Sequence, residues 1–191
     1  MTEAHPLAGS ALALLAGWPA PTQEQATLRE AYLALLATTS DALWRAHAPG
    51  HVTVGAVVLD ATARDTLLVL HPRAGMWLPP GGHCEPEDAT LADGALREVR
   101  EETGLVDVVI GSEPVRLDAH PFTCSLGVPT RHLNVGFVVR TRPTADGTPP
   151  VATISDESDD LRWWPVDALP APRPERLAAE VAAALARTPR G

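Results

Sequence analysis

The chain has 191 residues, 45% hydrophobic and 20% charged, a balance that fits one globular domain with an appendage better than two full domains. With 15 basic and 24 acidic residues the net charge is −9, which excludes a general attraction for DNA, RNA or an anionic membrane; a polyphosphate substrate would need cations to bridge two negative partners. Two cysteines, Cys84 and Cys124, make neither a disulfide framework nor a zinc spacing, so a reducing cytoplasm is the expected setting.

The first 50 residues read as helical. The apolar stretch Leu7 to Ala16 follows Glu3 with no basic residue before it, so it lacks a signal peptide's n-region, and it is too short to span a bilayer. Thr22 and Gln25 form a potential capping box, after which Leu28, Ala31, Tyr32, Leu35 and Leu36 make one apolar stripe at helical spacing. That stripe needs burial on the domain or on a second copy of the chain, so a homodimer is one option. A short helix is expected over Asp41 to His47, ended by Pro49-Gly50.

The period then changes. His51 to Leu59 is valine-rich and reads as a buried strand, Ala61 to Asp65 as a turn, Thr66 to Leu70 as its hairpin partner, and Met76 to Leu78 as a short third strand entering the rigid loop Pro79-Pro80-Gly81-Gly82. From Asp88 to Thr103 the spacing is helical, with Leu91, Ala95 and Val99 on one face and Gly104 just past the end. Val106 to Leu117 and His132 to Thr141 are strand-like, Arg142 to Ser155 is a loop, and Leu161 to Val166 is a last strand. Pro174 opens a final helix with Leu177, Val181 and Leu185 inward and Pro189 at its limit. Strands mixed with helices and no internal repeat argue for an α/β architecture.

The segment Arg97-Glu98-Val99-Arg100-Glu101-Glu102-Thr103-Gly104-Leu105 carries the chemistry. On a helix, Glu98, Glu101 and Glu102 share a face, where like charges repel, and they sit near the C-terminal end, where the helix dipole disfavours anions. A divalent cation would remove both penalties, and carboxylate oxygens are hard ligands suited to Mg²⁺ or Mn²⁺. Gly81 and Gly82 in the preceding loop allow the backbone to approach a ligand closely. The plain alternative is a solvated helix with alternating Arg and Glu.

Gly82-His83-Cys84-Glu85-Pro86-Glu87-Asp88, followed by Leu96 to Leu105, resembles the Nudix box. The second half matches that pattern at every defined position. In the first half Asp88 stands for a glutamate, with eight residues rather than seven before Arg97, which reads as a one-residue insertion at the loop–helix junction. The likeness extends over roughly His51 to Leu169, through Trp77-Leu78-Pro79 and Trp163-Trp164-Pro165-Val166. It implies an α/β/α sandwich around a mixed β-sheet, as a domain over 51–188 behind an N-terminal helical extension of residues 1–50.

The resemblance further implies that Glu98 and Glu102 are principal metal ligands, that Glu101 is a ligand or the base activating water, that Arg97 orients a catalytic glutamate, and that Gly82 offers a backbone carbonyl to the metal. The implied activity is hydrolysis of a nucleoside diphosphate linked to another moiety, a small nucleotide-like substrate. In Nudix enzymes the base sometimes comes from a loop before the last strand, which makes Glu157, in Asp156-Glu157-Ser158-Asp159-Asp160, a second candidate base.

Asp118 and His120, like His132 and Asn134, alternate along strands, so each pair shares a sheet face; His120, His132 and Asn134 are candidates to read a base or sugar, against ordinary polar residues on a solvated face. Phe122 or Trp77 could stack on a base, though isolated aromatics belong more often to the core. His83 and Cys84, with no further Cys or His partner near them in sequence, are poor soft-metal ligands. Pro121 lies 16 positions after Leu105, a weak resemblance to ADP-ribose hydrolases of that family. The rival reading is a Nudix-type scaffold that senses a nucleotide without turning it over. DNA binding is not expected, and a capped-RNA substrate has no support in the sequence.

Overall fold

The run of valines folds as β1 (His51–Leu59), the central strand, and in the computed structural model it organises everything around it. The structure describes residues 5–123 and 127–187; Cys124, the boundary at residue 188 and the helix limit expected at Pro189 lie outside them. β1 turns antiparallel into β2 (Asp65–His71). The buried Asp60 carboxylate holds that turn by accepting the backbone N–H groups of Thr62, Arg64 and Asp65 at 2.8–2.9 Å. β3 (Met76–Leu78) pairs with β2. The sequence anticipates a loop over Pro79 to Gly82; instead Gly81–His83 is a strand, β4, antiparallel to β1. Proline and glycine argue against a strand by propensity, and here pairing with β1 overrides that preference.

α3 (Leu91–Thr103) begins three residues later than expected, because Thr90 caps it by accepting the N–H of Asp93. Thr90 and Asp93 are themselves a capping signature, a start signal that the apolar spacing does not carry. Leu91, Ala95 and Val99 are fully buried, and Gly104 ends the helix at φ 67°, a left-handed conformation that suits glycine. The single strand expected over Val106 to Leu117 is two, β5 (Val108–Ile110) and β6 (Arg116–Thr123), separated where the chain leaves one part of β7 (Pro129–Thr141) for another. β8 (Asp160–Pro165) pairs with β2, and α4 (Arg176–Ala186) closes the described chain. Leu177, Val181 and Ala184 are its buried positions; Leu185 is only partly covered.

Among the described residues the strands form one mixed sheet, β3-β2-β1-β7-β5 along its main path, with β1 and β7 parallel. Alternation along β1 sends Val52, Val54, Ala56 and Val58 to one face and Val57 and Leu59 to the other. The first face packs on α3 and the N-terminal helices, the second on α4, giving the α/β/α sandwich.

The N-terminal segment forms α1 (Pro6–Gly17), α2 (Gln23–Thr38) and, in place of the helix expected at Asp41, a 3-10 turn over Ser40–Leu43. Leu7, Leu15, Tyr32 and Leu36 join the same core as Val52 and Val99, so these helices are packed on the domain itself. Thr22 caps α2 as expected, by accepting the N–H of Gln25. The Gln25 side chain does not return to the cap. Its amide donates to Leu117 O (3.1 Å) and accepts from Leu117 N (2.7 Å), clasping the outer edge of β6. Ala31, expected within the buried stripe, is exposed because this docking turns α2 about Gln25 and Tyr32.

Candidate active site

A cavity of about 500 Å³ opens on the face of the sheet that α4 only partly covers. α4 roofs Val57 and Val138 at one end; the other end floors the cavity. Glu98 and Glu102 reach this cavity from α3, on the opposite side of the sheet. They do so past the glycines of β4. A Cβ at Gly82 would lie 2.5 Å from Glu98 Oε1, so the carboxylate occupies the space a side chain would take. A Cβ at Gly81 would lie 2.5 Å from Val54 O, and the Gly81 N–H donates to Glu102 Oε2 at 3.0 Å. The two glycines are therefore needed for close approach, to a carboxylate in one case and to a neighbouring strand in the other.

Burial drives both carboxylates towards the protonated form. Glu98 is pushed up to about 7 by burial and by Glu101 and Glu157, against the opposing Arg97. Glu102 is pushed up to about 8 by burial, the Gly81 N–H opposing, with Glu98, Glu157 and Glu101 adding to the rise. A pair of buried, mutually repelling hard donors at a cavity wall fits a divalent cation such as Mg²⁺ or Mn²⁺, which would supply the charge that protons supply in its absence.

The linkage is testable. Because both folded values lie above the ordinary 4.5, the metal-free folded chain holds protons that the unfolded chain releases, and the associated stability is lost as pH rises through about 7 to 8. The histidines whose values burial lowers act in the opposite sense below their ordinary 6.5, so the window to read lies above that. In EDTA the melting temperature is expected to fall by several degrees between about pH 6.5 and 8.5, and excess Mg²⁺ to remove most of the fall. Calorimetry at each pH checks this; an EDTA curve as flat as the Mg²⁺ curve would separate these carboxylates from any cation.

Arg97 organises the approach to the site. Its guanidinium donates to both Asp88 oxygens at 3.1 Å, to Glu98 Oε1 at 3.0 Å, to Glu101 Oε2 at 3.0 Å and to His83 O at 2.8 Å. Asp88, which stands for a glutamate in the first half of the box, is thus the buried partner of Arg97, also accepting the Glu85 N–H at 2.8 Å. Gly94 makes room for Asp88, since a Cβ there would lie 2.7 Å from Asp88 Oδ2. Glu101 sits differently from its neighbours. Its side chain is 57% exposed, paired with Arg97 and outside the cavity lining.

Glu157 and Asp156 come to the cavity from the turn before β8, and Glu157 is close enough to raise both buried glutamates. His120, His132 and Asn134 line the cavity as well. Register explains why: Asp118 lies opposite Asn134 and His120 opposite His132, so four polar residues form a block on one sheet face. The His120 Nδ1–Asp118 Oδ2 distance is 2.6 Å, and Arg176 from α4 meets the same carboxylate at 3.1 Å. Phe122 stacks on His132 with centroids 4.6 Å apart and also lines the cavity. Trp77 instead packs against Trp164 beneath α4, and Pro121 is exposed on the opposite sheet face. Cys84 is buried, its thiol pushed up to about 12 by burial. His83, set aside in the sequence for want of partners, meets His51 and His132, which lie on other strands far away in the chain.

Residues 49–186 match the family model of the NUDIX domain, and the chain belongs to this family, the Nudix hydrolases. Among similar curated proteins, the m7GpppN-mRNA hydrolase NUDT17 of Danio rerio is 37% identical over 98 residues, covering 46% of this chain and 32% of that protein. The m7GpppN-mRNA hydrolase NUDT17 of Bos taurus is 46% identical over 55 residues, covering 26% of this chain and 18% of that protein. The chain thus spans about a third or less of the length of these relatives. Two solved structures share the fold: a C. elegans Ap4A hydrolase in a binary complex (18% identity, TM-score 0.52, 71% of this chain and 95% of that one) and a NUDIX-family hydrolase from Clostridium perfringens (22%, 0.52, 71% and 96%). Among the described residues no helix is long and apolar enough to cross a membrane.

Proposed function

We propose that the protein is a divalent-metal-dependent hydrolase that cleaves a diphosphate bond in a nucleoside diphosphate linked to a second moiety. The observation that carries this reading is the placement of Glu98 and Glu102, buried and drawn towards their protonated forms, at the wall of a cavity roomy enough for a nucleotide. The Asp88–Arg97 pair supports an enzyme over a module that only binds, because it preserves the setting of Glu98 despite the altered box.

In this reading Glu98, Glu102 and the Gly82 backbone hold Mg²⁺ or Mn²⁺, with Glu101 a further ligand from the rim. The bound cation supplies charge neutralisation for the phosphates and acidifies water. Arg97 fixes the direction of Glu98. Glu157, a carboxylate on a turn facing the buried pair, takes the proton from the attacking water, with Glu101 the alternative base. His120, held by Asp118, and Asn134 orient the sugar or base; the stacked rings of Phe122 and His132 offer a flat wall for it, and the Gly81 backbone lies against the phosphates. The NUDT17 relatives bring cap-like dinucleoside polyphosphates into the substrate range.

The test is product analysis by mass spectrometry on nucleoside triphosphates, oxidised dGTP, ADP-ribose, nucleotide sugars, dinucleoside polyphosphates and m7GpppN cap analogues with Mg²⁺ or Mn²⁺. Cleavage between phosphates is expected for at least one, abolished by EDTA and restored by excess Mg²⁺. Cleavage indifferent to EDTA would defeat the metal assignment, and thermal stabilisation by a compound that is never cleaved would favour the sensing module.

A further inference from the structure

The cavity end of the α4-side sheet face carries a row of imidazoles. On β1, His51 and Thr53 share this face; His51 stands opposite His132 of β7, and Thr53 stands opposite His83 of β4. His132 in turn stands opposite His120 of β6. Four neighbouring strands thus each place one histidine on this face, three of them at one level and His83 two residues along. The rings of His51, His83 and His132 meet pairwise with centroids 5.0–5.4 Å apart, and one ligating nitrogen from each lies within 4.8 Å of the other two.

Two of these rings present nitrogens that the described residues leave unanswered. His51 is fully buried, and its Nδ1 lies 3.2 Å from the carbonyl of His47. A carbonyl only accepts, so Nδ1 carries the hydrogen and Nε2 holds a bare lone pair. That Nε2 is buried without a hydrogen-bond partner, and so is Nε2 of His132. A buried nitrogen without a partner is costly, and two of them beside a third imidazole point to an ion that would answer both. The His51–carbonyl contact is also the arrangement that fixes the ring of a metal-ligating histidine.

We propose that His51, His83 and His132 bind a divalent transition-metal ion of the zinc type, at a site separate from the carboxylates of α3. Imidazole nitrogens suit such ions, whereas Mg²⁺ prefers oxygen, so the two sites would sort their cations by donor chemistry. Bonds of about 2.0–2.1 Å in tetrahedral geometry need nitrogens about 3.3 Å apart, a contraction within reach of small ring rotations. Burial, with neighbouring imidazole charges adding, pushes His83 down to about 4 and His132 down to about 3, so both are neutral and ready to ligate at pH 7. Since His83 and His132 line the cavity, the ion's remaining position opens towards it, the three-ligand pattern that leaves room for water or a substrate donor. His132 then meets a nucleotide with its ring rather than with Nε2. This site does not depend on the hydrolase reading and is tested without an activity assay.

The experiment titrates the chelator-treated full chain with Co²⁺, in excess Mg²⁺, and follows the visible d–d absorption of low-coordinate cobalt, with Zn²⁺ as displacing ion. One equivalent is expected to bind and to be displaced by Zn²⁺. His83→Ala and His132→Ala are each expected to weaken binding by about 100-fold, while Glu102→Gln leaves it unchanged. Circular dichroism confirms that the variants are folded; His51, being fully buried, is left in place. A folded wild type that develops no absorption would overturn the proposal. So would binding that survives His83→Ala/His132→Ala, or that is lost in Glu102→Gln instead.

Discussion

Replacing Glu102 with glutamine is expected to lower turnover by about 100-fold or more, the scale of losing one electrostatic group from a reaction centre. The substitution keeps the shape of the side chain and an oxygen that can still accept the Gly81 N–H. It removes a charge that burial already disfavours, Glu102 being pushed up to about 8. Above pH 7 the metal-free Glu102→Gln chain should therefore be at least as stable as the wild type, while its Mg²⁺-dependent stabilisation shrinks. Steady-state kinetics beside thermal melts with and without Mg²⁺ separate the two effects. Undiminished turnover would remove Glu102 from the centre, and a collapse in metal-free stability would make it a structural residue.

The second large effect concerns the first half of the box. Arg97→Met is expected to cost about 3 kcal/mol, the range for breaking a buried ion pair by deleting one partner. Asp88, with a side chain only 4% exposed, would be left with little beyond the Glu85 N–H to answer it. Chemical denaturation measures the loss, and a double cycle with Asp88→Ala isolates the coupling, which should exceed about 1 kcal/mol. A cost below that for Arg97→Met would place the pair among ordinary surface ion pairs. Because Arg97 also grips Glu98, the same variant should weaken Mg²⁺ binding, so calorimetric titration offers an independent reading.

How far the sequence carries depends on distance along the chain. The glutamates of α3 are legible because a helix brings residues three and four apart together, and Gly104 marks its end unaided. β1 is legible to the residue because it is valine-rich and buried on both faces. β4 is hidden: two prolines and two glycines argue against a strand, and only the partner 26 to 30 positions earlier makes one (Thr53 against His83, Gly55 against Gly81). The polar block of Asp118, His120, His132 and Asn134 could be read as two same-face pairs, but its assembly required the register between β6 and β7. The three histidines were illegible for the same reason, each lying on a different strand. The role of Gln25 was misread because a local partner, its own helix cap, was visible and the edge of β6 was not.

That clasp has a consequence for the molecule in company. Among the described residues the sheet has no strand beyond β6, and an unpaired strand edge is a template on which another chain can add itself. Gln25 imitates one rung of such a strand, giving and taking the two backbone bonds of Leu117 that a stranger would otherwise claim. A version of the protein shortened to the family-matched residues 49–186 would keep its glutamates but lose Arg45 from the cavity wall, and it would present that edge and the apolar face beneath α1 and α2 to solvent. Its first failing would be gregariousness: clumping in concentrated solution, by strand-on-strand stitching, that dilution relieves.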